Sequence, residues 1–216
     1  MFKALFGGET TSDLLHDALD ETYGMLEREA GMFEAACGAL FEGKTPEIDV
    51  VEEDEDIDVG ERMVRRLVFQ HVNLNPTQDL PASLALLSVV HDVERIGDYT
   101  KSLVYLARWR TEEMGTGDHA ALCVGIREAV APMIGQTLEA LREGEAELAR
   151  EVMRKNREVK KMTSALQEAL LQAGGEGREA VVCSSAAQYL RRISAHLSNI
   201  SSSVANPFDQ LGGNEA

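Results

Sequence analysis

Aromatic side chains are scarce, at 5% of 216 residues, while Ala, Leu, Glu and Arg are common. That balance favours helix over sheet. No apolar run approaches the roughly 18 residues of a membrane span. The opening Met1-Phe2-Lys3-Ala4-Leu5-Phe6 is too short for a signal peptide. The expectation is a cytoplasmic protein with no direct membrane insertion, which meets a membrane through a protein partner. Cysteine is sparse and unpaired in spacing: Cys37, Cys123 and Cys183 read as buried thiols of a reducing compartment, not as a disulfide framework. Positive charge is also short, with 21 Lys and Arg against 37 Asp and Glu, for a net charge of −16. Such a chain repels nucleic-acid phosphates and anionic lipid, and suits metal ions or basic protein surfaces. There is no nucleophile elbow, P-loop, dinucleotide-binding glycine loop or Cys-x-x-Cys pair. Gly174-Gly175-Glu176-Gly177 reads as a turn between helices. Catalysis is therefore not expected.

What is present is helical periodicity in a globular chain of 44% hydrophobic content. The spacing predicts helix 1 over about 12–42, capped by Thr11 or Ser12 and stopped by Gly43 and Pro46. Its stripe includes Leu15, Ala18, Leu19, Met25, Leu26, Met32, Phe33, Ala36 and Leu40, a core pattern. Helix 2 covers about 49–73 and helix 3 about 81–113, with Pro81 in its first turn. The short loop between them makes these two antiparallel neighbours. Gly115-Thr116-Gly117-Asp118 divides the chain into residues 1–114 and 115–216. Helices 4, 5 and 6 follow over about 118–142, 145–172 and 178–205, with a kink expected at Pro132. The halves align as repeats: Val93 to Asp98 with Leu190 to Ala195, Leu103 with Ile200, and Asp54 to Asp58 with Asn156 to Lys160. The expected fold is all-α, two tandem three-helix bundles.

The chemistry lies on helices 2 and 3. Helix 2 opens with nine acids between Glu47 and Glu61 and no base, more than a helix dipole calls for. Asp54 and Asp58 sit four apart beside the stripe Ile57, Gly60, Val64, Leu67, Val68 and His71. On helix 3, Glu94 and Asp98 sit four apart beside the stripe Val89, Val90, Val93 and Ile96. Like charges at this spacing destabilise a bare helix. A bound cation would offset the repulsion, and so, more simply, would Arg95 or Lys101. At about 100° per residue both acid pairs lie on the same rotational side of their stripes. If those flanks face each other, four carboxylates converge. Such a set suits hard or borderline cations such as iron, nickel, zinc, manganese or calcium. His91, near Asp98, could join them. The competing expectation is a solvated flank salt-bridged to Arg62, Arg65 or Arg95. Asp92 is expected to pair with Arg95. A di-iron oxidase would need Glu-x-x-His repeats facing the bundle interior. None occurs, and the acids are placed on the flank of the stripe.

Glu94-Arg95-Ile96-Gly97-Asp98, with Asp54-x-x-Ile57-Asp58 as a looser companion, resembles the signature of PhoU-type phosphate-uptake regulators. The resemblance extends over about residues 10–208. It implies two repeated three-helix bundles, a metal site at Asp54, Asp58, Glu94 and Asp98, and a regulator of phosphate transport and phosphate-starvation signalling; His91 joins the candidate ligands by its place near Asp98 and not by the resemblance. It further implies contact with phosphate transporter components and a sensor kinase, and a homodimer in some members. The second half departs from the signature: Arg191 and Ala195, and Asn156 and Lys160, replace the acids. One metal-competent half is therefore expected, with the other kept for structure or partner contact. The alternative is a carboxylate-bridged metalloenzyme or a metal-storing bundle.

Overall fold

The computed structural model describes residues 12–110, 118–173 and 177–206. Six long helices make up the described fold, and they form two bundles of three. In chain order they are α1 (Asp13–Cys37), α2 (Val50–Leu74), α3 (Leu80–Ala107), α4 (Asp118–Glu143), α5 (Ala146–Gln172) and α6 (Arg178–Ala205). None of the described helices is long and apolar enough to cross a membrane.

The helix ends follow local chemistry. Ser12 precedes α1 but does not cap it with its side chain. Its Oγ lies 2.6 Å from His71 Nδ1 on α2 instead. The α-helix runs on into a π-helical turn, Gly38–Glu42, and stops at Gly43, whose φ of 68° is one a glycine adopts without strain. Asp49 caps α2, accepting from the backbone N–H of Val51 at 3.0 Å and of Glu52 at 3.3 Å. Helix α3 ends at Ala107, six residues short of the expected Glu113. Trp109 and Arg110 turn back through N–H bonds to Leu106 and Ala107 at 2.9 and 3.1 Å. Helix α4 continues through Pro132. The Thr11 cap, the Gly115-to-Gly117 divider and Gly174-Gly175 lie outside the described residues.

Within each half, three helices bury their stripes against one another; α3 packs on α6 and α1 on α4 to join the halves. The resulting core is continuous, from Leu15 and Leu26 through Ile96 and Leu103 to Leu190 and Ile200. Cys37, Cys123 and Cys183 lie buried within it and form no disulfide.

Burial exposes the repeat residue by residue. Leu15, Ala18, Thr22, Met25, Leu26 and Glu29 on α1 run in register with Cys123, Ile126, Val130, Met133, Ile134 and Thr137 on α4, all buried. Asp54, Ile57 and Val64 on α2 match Asn156, Val159 and Leu166 on α5. Val93, Ile96 and Gly97 on α3 match Leu190, Ile193 and Ser194 on α6. At the α3–α6 contact Asp92 accepts from His196 Nδ1 at 2.7 Å and from Asn199 Nδ2 at 3.2 Å. Tyr99 stacks on His196, centroids 5.7 Å apart, and lies 6.2 Å from Tyr189. In the repeat register Asp92 matches Tyr189 and Tyr99 matches His196, so the contact has the pairing of a pseudo-two-fold. Asp92 therefore faces the other bundle and does not pair with Arg95 as its spacing suggested.

Replacing Asp92 with Ala should loosen this joint. It strands the imidazole of His196 and the amide of Asn199 in a part-buried contact, at a cost of about 1–3 kcal/mol. Chemical denaturation should show a lower midpoint at unchanged slope.

Candidate metal centre

The two acid-bearing helices, α2 and α3, pack side by side, and their charged groups interleave along one line. Asp54 is only 4% exposed. It lies within the buried stripe of α2, between Val50 and Ile57, and not on its flank as expected. Its Oδ2 accepts from Lys101 Nζ, and that ammonium lies 3.4 Å from Asp98 Oδ1. Asp98 Oδ2 accepts from Arg95 Nη1 at 2.9 Å, and Arg95 Nε lies 2.8 Å from Glu94 Oε2. Both intramolecular cations weighed from the sequence are therefore engaged. One turn beyond Asp58 on α2, Glu61 accepts from Arg65 at 2.7 Å. Its Oε1 is 3.6 Å from His91 Nδ1, which is 3.9 Å from Glu94 Oε2.

One donor atom each from Glu61, His91 and Glu94 falls within 4.8 Å of the others. Of the five residues expected from the sequence, His91 and Glu94 meet at this point. Asp54 and Asp98 are joined through Lys101, and Asp58 is half-buried without entering either group. Glu61 was not anticipated. The signal for it was present: it continues the helical spacing of Asp54 and Asp58 by one further turn.

A second residue missed from the sequence is Glu29 on α1. It is fully buried, and neither carboxylate oxygen has a hydrogen-bond partner among the described residues. Gly97 on α3 makes room for it. A Cβ there would stand 2.8 Å from Glu29 Oε1 and 2.8 Å from Asp54 Oδ1. Glu29 occupies a core slot between Met25 and Met32, so a charge in the apolar stripe was the available sign.

The PhoU domain model matches residues 22–107 and again residues 126–204. The chain belongs to the PhoU family. It superposes on the crystal structure of PhoU from Pseudomonas aeruginosa with a TM-score of 0.79 and 22% identity, covering 88% of this chain and 95% of that one. For the phosphate transport system regulatory protein PhoU from Streptococcus pneumoniae the TM-score is 0.74 at 16% identity, over 88% and 92% of the two chains. At these identities the structures speak for the fold. No curated protein sequence matches this chain. The family is one of regulators of phosphate transport.

The two PhoU repeats differ in charge at matching places. Glu29, Asp54 and Gly97 in the first correspond to Thr137, Asn156 and Ser194 in the second, where Ser194 Oγ donates to Asn156 Oδ1 at 3.0 Å. The neutral version is satisfied internally; in the acidic one Asp54 is met by Lys101, while Glu29 has no hydrogen-bond partner among the described residues. Burial, and then the fields of Asp54, Asp98 and Glu94, hold the Glu29 carboxyl well above its ordinary range. Burial also raises Asp54, against the pull of Lys101, and raises Glu94, against that of Arg95.

The outer group fits a borderline cation. Two carboxylates and an imidazole are ligands common to zinc, nickel, iron and manganese. Glu94 Oε2 is buried and, although the Arg95 guanidinium lies 2.8 Å away, accepts no hydrogen bond among the described residues, so it has a lone pair to give. Arg95 retains Asp98 as a partner if Glu94 turns to a metal.

The sign of the pH effect at Glu29 follows from its raised value. In the metal-free protein the folded state holds this proton where the unfolded chain, with its ordinary value of 4.5, has lost it. Above that pH, stability falls by up to about 1.4 kcal/mol per pH unit until the folded group also ionises. Glu29→Gln should remove this slope, so that the variant gains on the wild type as pH rises. Urea titrations from pH 4.5 to 8 in chelator would reveal it; parallel curves would contradict it.

Proposed function

We propose that this PhoU-family chain is a regulatory adaptor of phosphate transport and phosphate-starvation signalling. It is a cytoplasmic protein that acts by contact with phosphate transporter components and, where one is present, a sensor kinase, and not by catalysis. The N-terminal repeat, residues 1–114, carries a cation at the junction of α2 and α3. The C-terminal repeat, residues 115–216, serves structure and partner contact. The convergence of Glu61, His91 and Glu94 within a family-matched repeat is the observation that carries this reading.

The physical role of the cation is to neutralise crowded carboxylates. With Arg65, Arg95 and Lys101 as the bases engaged there, the line of acids from Asp54 and Asp58 to Glu94 and Asp98 keeps surplus negative charge. A metal at Glu61, His91 and Glu94 would reduce that surplus and hold α2 against α3, presenting a rigid face. Phosphate itself is an unfit ligand for such a face without a metal between.

Two measurements test the reading. Elemental analysis of protein purified without chelator should find transition metal that is lost from a Glu61→Gln/His91→Ala variant. Membrane vesicles bearing the phosphate transporter should retain the wild-type chain. Chelator or Glu94→Gln should lower that retention at least about tenfold, the size of a lost charge-assisted contact. Retention that ignores both would remove the metal from the mechanism, and no retention would remove the adaptor role.

A further inference from the structure

Lys and Arg are few in this chain, yet six of the 21 fall between Arg150 and Lys161 on α5. The matching stretch of the first repeat, Ile48 to Val59, holds seven acids and no base. In the repeat register Arg154, Lys155, Arg157 and Lys160 stand where α2 has Glu52, Glu53, Glu55 and Asp58. Burial agrees pair by pair: the first and third positions are exposed, and the second and fourth half-buried, in both helices. The two faces thus share a place in the bundle and a degree of exposure, and differ in the sign of their charge. Packing does not require bases here, since the same places in the same fold accept acids.

Most of these bases have no counter-ion. Arg28 on α1 bonds Glu53 at 2.6 Å, whereas at the matching place on α4 the neutral Gln136 accepts from Lys155 at 2.9 Å. Arg150 meets Glu147, and Lys155 lies 3.4 Å from Glu151. Arg154, Arg157, Lys160 and Lys161 make no ion pair among the described residues. Arg150, Arg154, Arg157 and Lys161 follow the helical spacing and form one exposed stripe, about 16 Å long at the rise of an α-helix. A hollow of about 200 Å³ opens between Arg150, Met153, Arg154, Arg157 and Asn206.

We propose that this stripe is the docking face of the C-terminal repeat, and that its occupant is a carboxylate-rich segment of a protein partner. The proposal deepens the adaptor reading above and rests on it for the partner, but uses none of the metal donors. Arginine forks hold both oxygens of a carboxylate at once. The stripe is one residue wide and is edged by Glu151 and Glu158, which suits a narrow acidic segment. A lipid plane would bring its phosphates against the rest of a chain of net charge −16 as well. With bases gathered on α5 and acids on α2, an acidic partner is met with α5 forward and repelled from other directions.

Poly-L-glutamate of about 15 residues, long enough to span the stripe, is the probe. Its binding to the full chain is followed by fluorescence anisotropy, and circular dichroism checks the fold of each variant. Wild type should bind it at low ionic strength and lose it as salt rises. Arg154→Glu/Arg157→Glu, which installs the acids of the matching α2 positions, should weaken binding at least about tenfold. Arg154→Gln/Arg157→Gln should fall between the two and repeats the test should the reversal fold poorly. Vesicles bearing the phosphate transporter should release the reversed variant while its metal content stays that of the wild type. No binding of the peptide, or equal binding by wild type and both variants, overturns the proposal. Equal binding to protein-free phosphatidylglycerol vesicles overturns it in favour of lipid. Salt-sensitive self-association in sedimentation, lost on reversal, overturns it in favour of a second copy. A reversed variant still retained by transporter vesicles overturns this face and leaves the adaptor reading in place. If those vesicles retain no wild type, the adaptor reading fails, and the peptide titration alone decides the stripe.

Discussion

The packing of α3 against three partners at once dictates what the acidic motif can do. Val89, Val93 and Ile96 are consumed by the core. Asp92 and Tyr99 are turned to α6, where they meet His196. Glu94 and Asp98 are left for α2, and Gly97 for α1, where only an absent side chain lets Glu29 approach. Each residue from Asp92 to Tyr99 thus has a direction set by the helix period and a neighbour set by the bundle. A helix in contact with one partner would leave most of these side chains in water, where paired carboxylates are ordinary.

The two repeats solve the same packing problem with opposite electrostatics. In the C-terminal bundle the positions matching Glu29, Asp54 and Gly97 are two hydroxyls and an amide: Ser194 donates to Asn156, and Thr137 pairs with Ser201. In the N-terminal bundle the first two of these are acids, and burial raises their proton affinity. Lys101 and Arg95 offset part of the repulsion from within the chain. The tension lies in the half that carries the PhoU signature and is missing from the half that has lost it.

Much of the fold was legible in the chain itself. The helix count, the two-bundle plan and the loop positions follow from apolar period, caps and glycine stops, and α5 and α6 begin and end within a residue of expectation. The end of α3 was overextended. Past Ala107 the described chain leaves the α-helix, and Trp109 and Arg110 bond back to Leu106 and Ala107. In the site, the pairing of α2 with α3 and the gathering of His91 with Glu94 were within reach of the motif. Asp54 was misplaced by half a face, because its stripe was read from Ile57 onward and the buried Val50 before it was not counted.

Periodicity, caps and glycine stops therefore determined by themselves an all-α chain of two three-helix bundles, and the motif from Glu94 to Asp98 carried its resemblance to the PhoU family. Those features are local, written in residues three and four apart, and local order survives in the sequence. Only the tertiary structure decided that Glu29 joins Asp54 over Gly97, that Glu61 replaces Asp58 beside His91, and that Asp92 serves the joint between bundles. Each of these depends on how one helix is rotated against another, a quantity set by the sum of many side-chain contacts and by no single spacing.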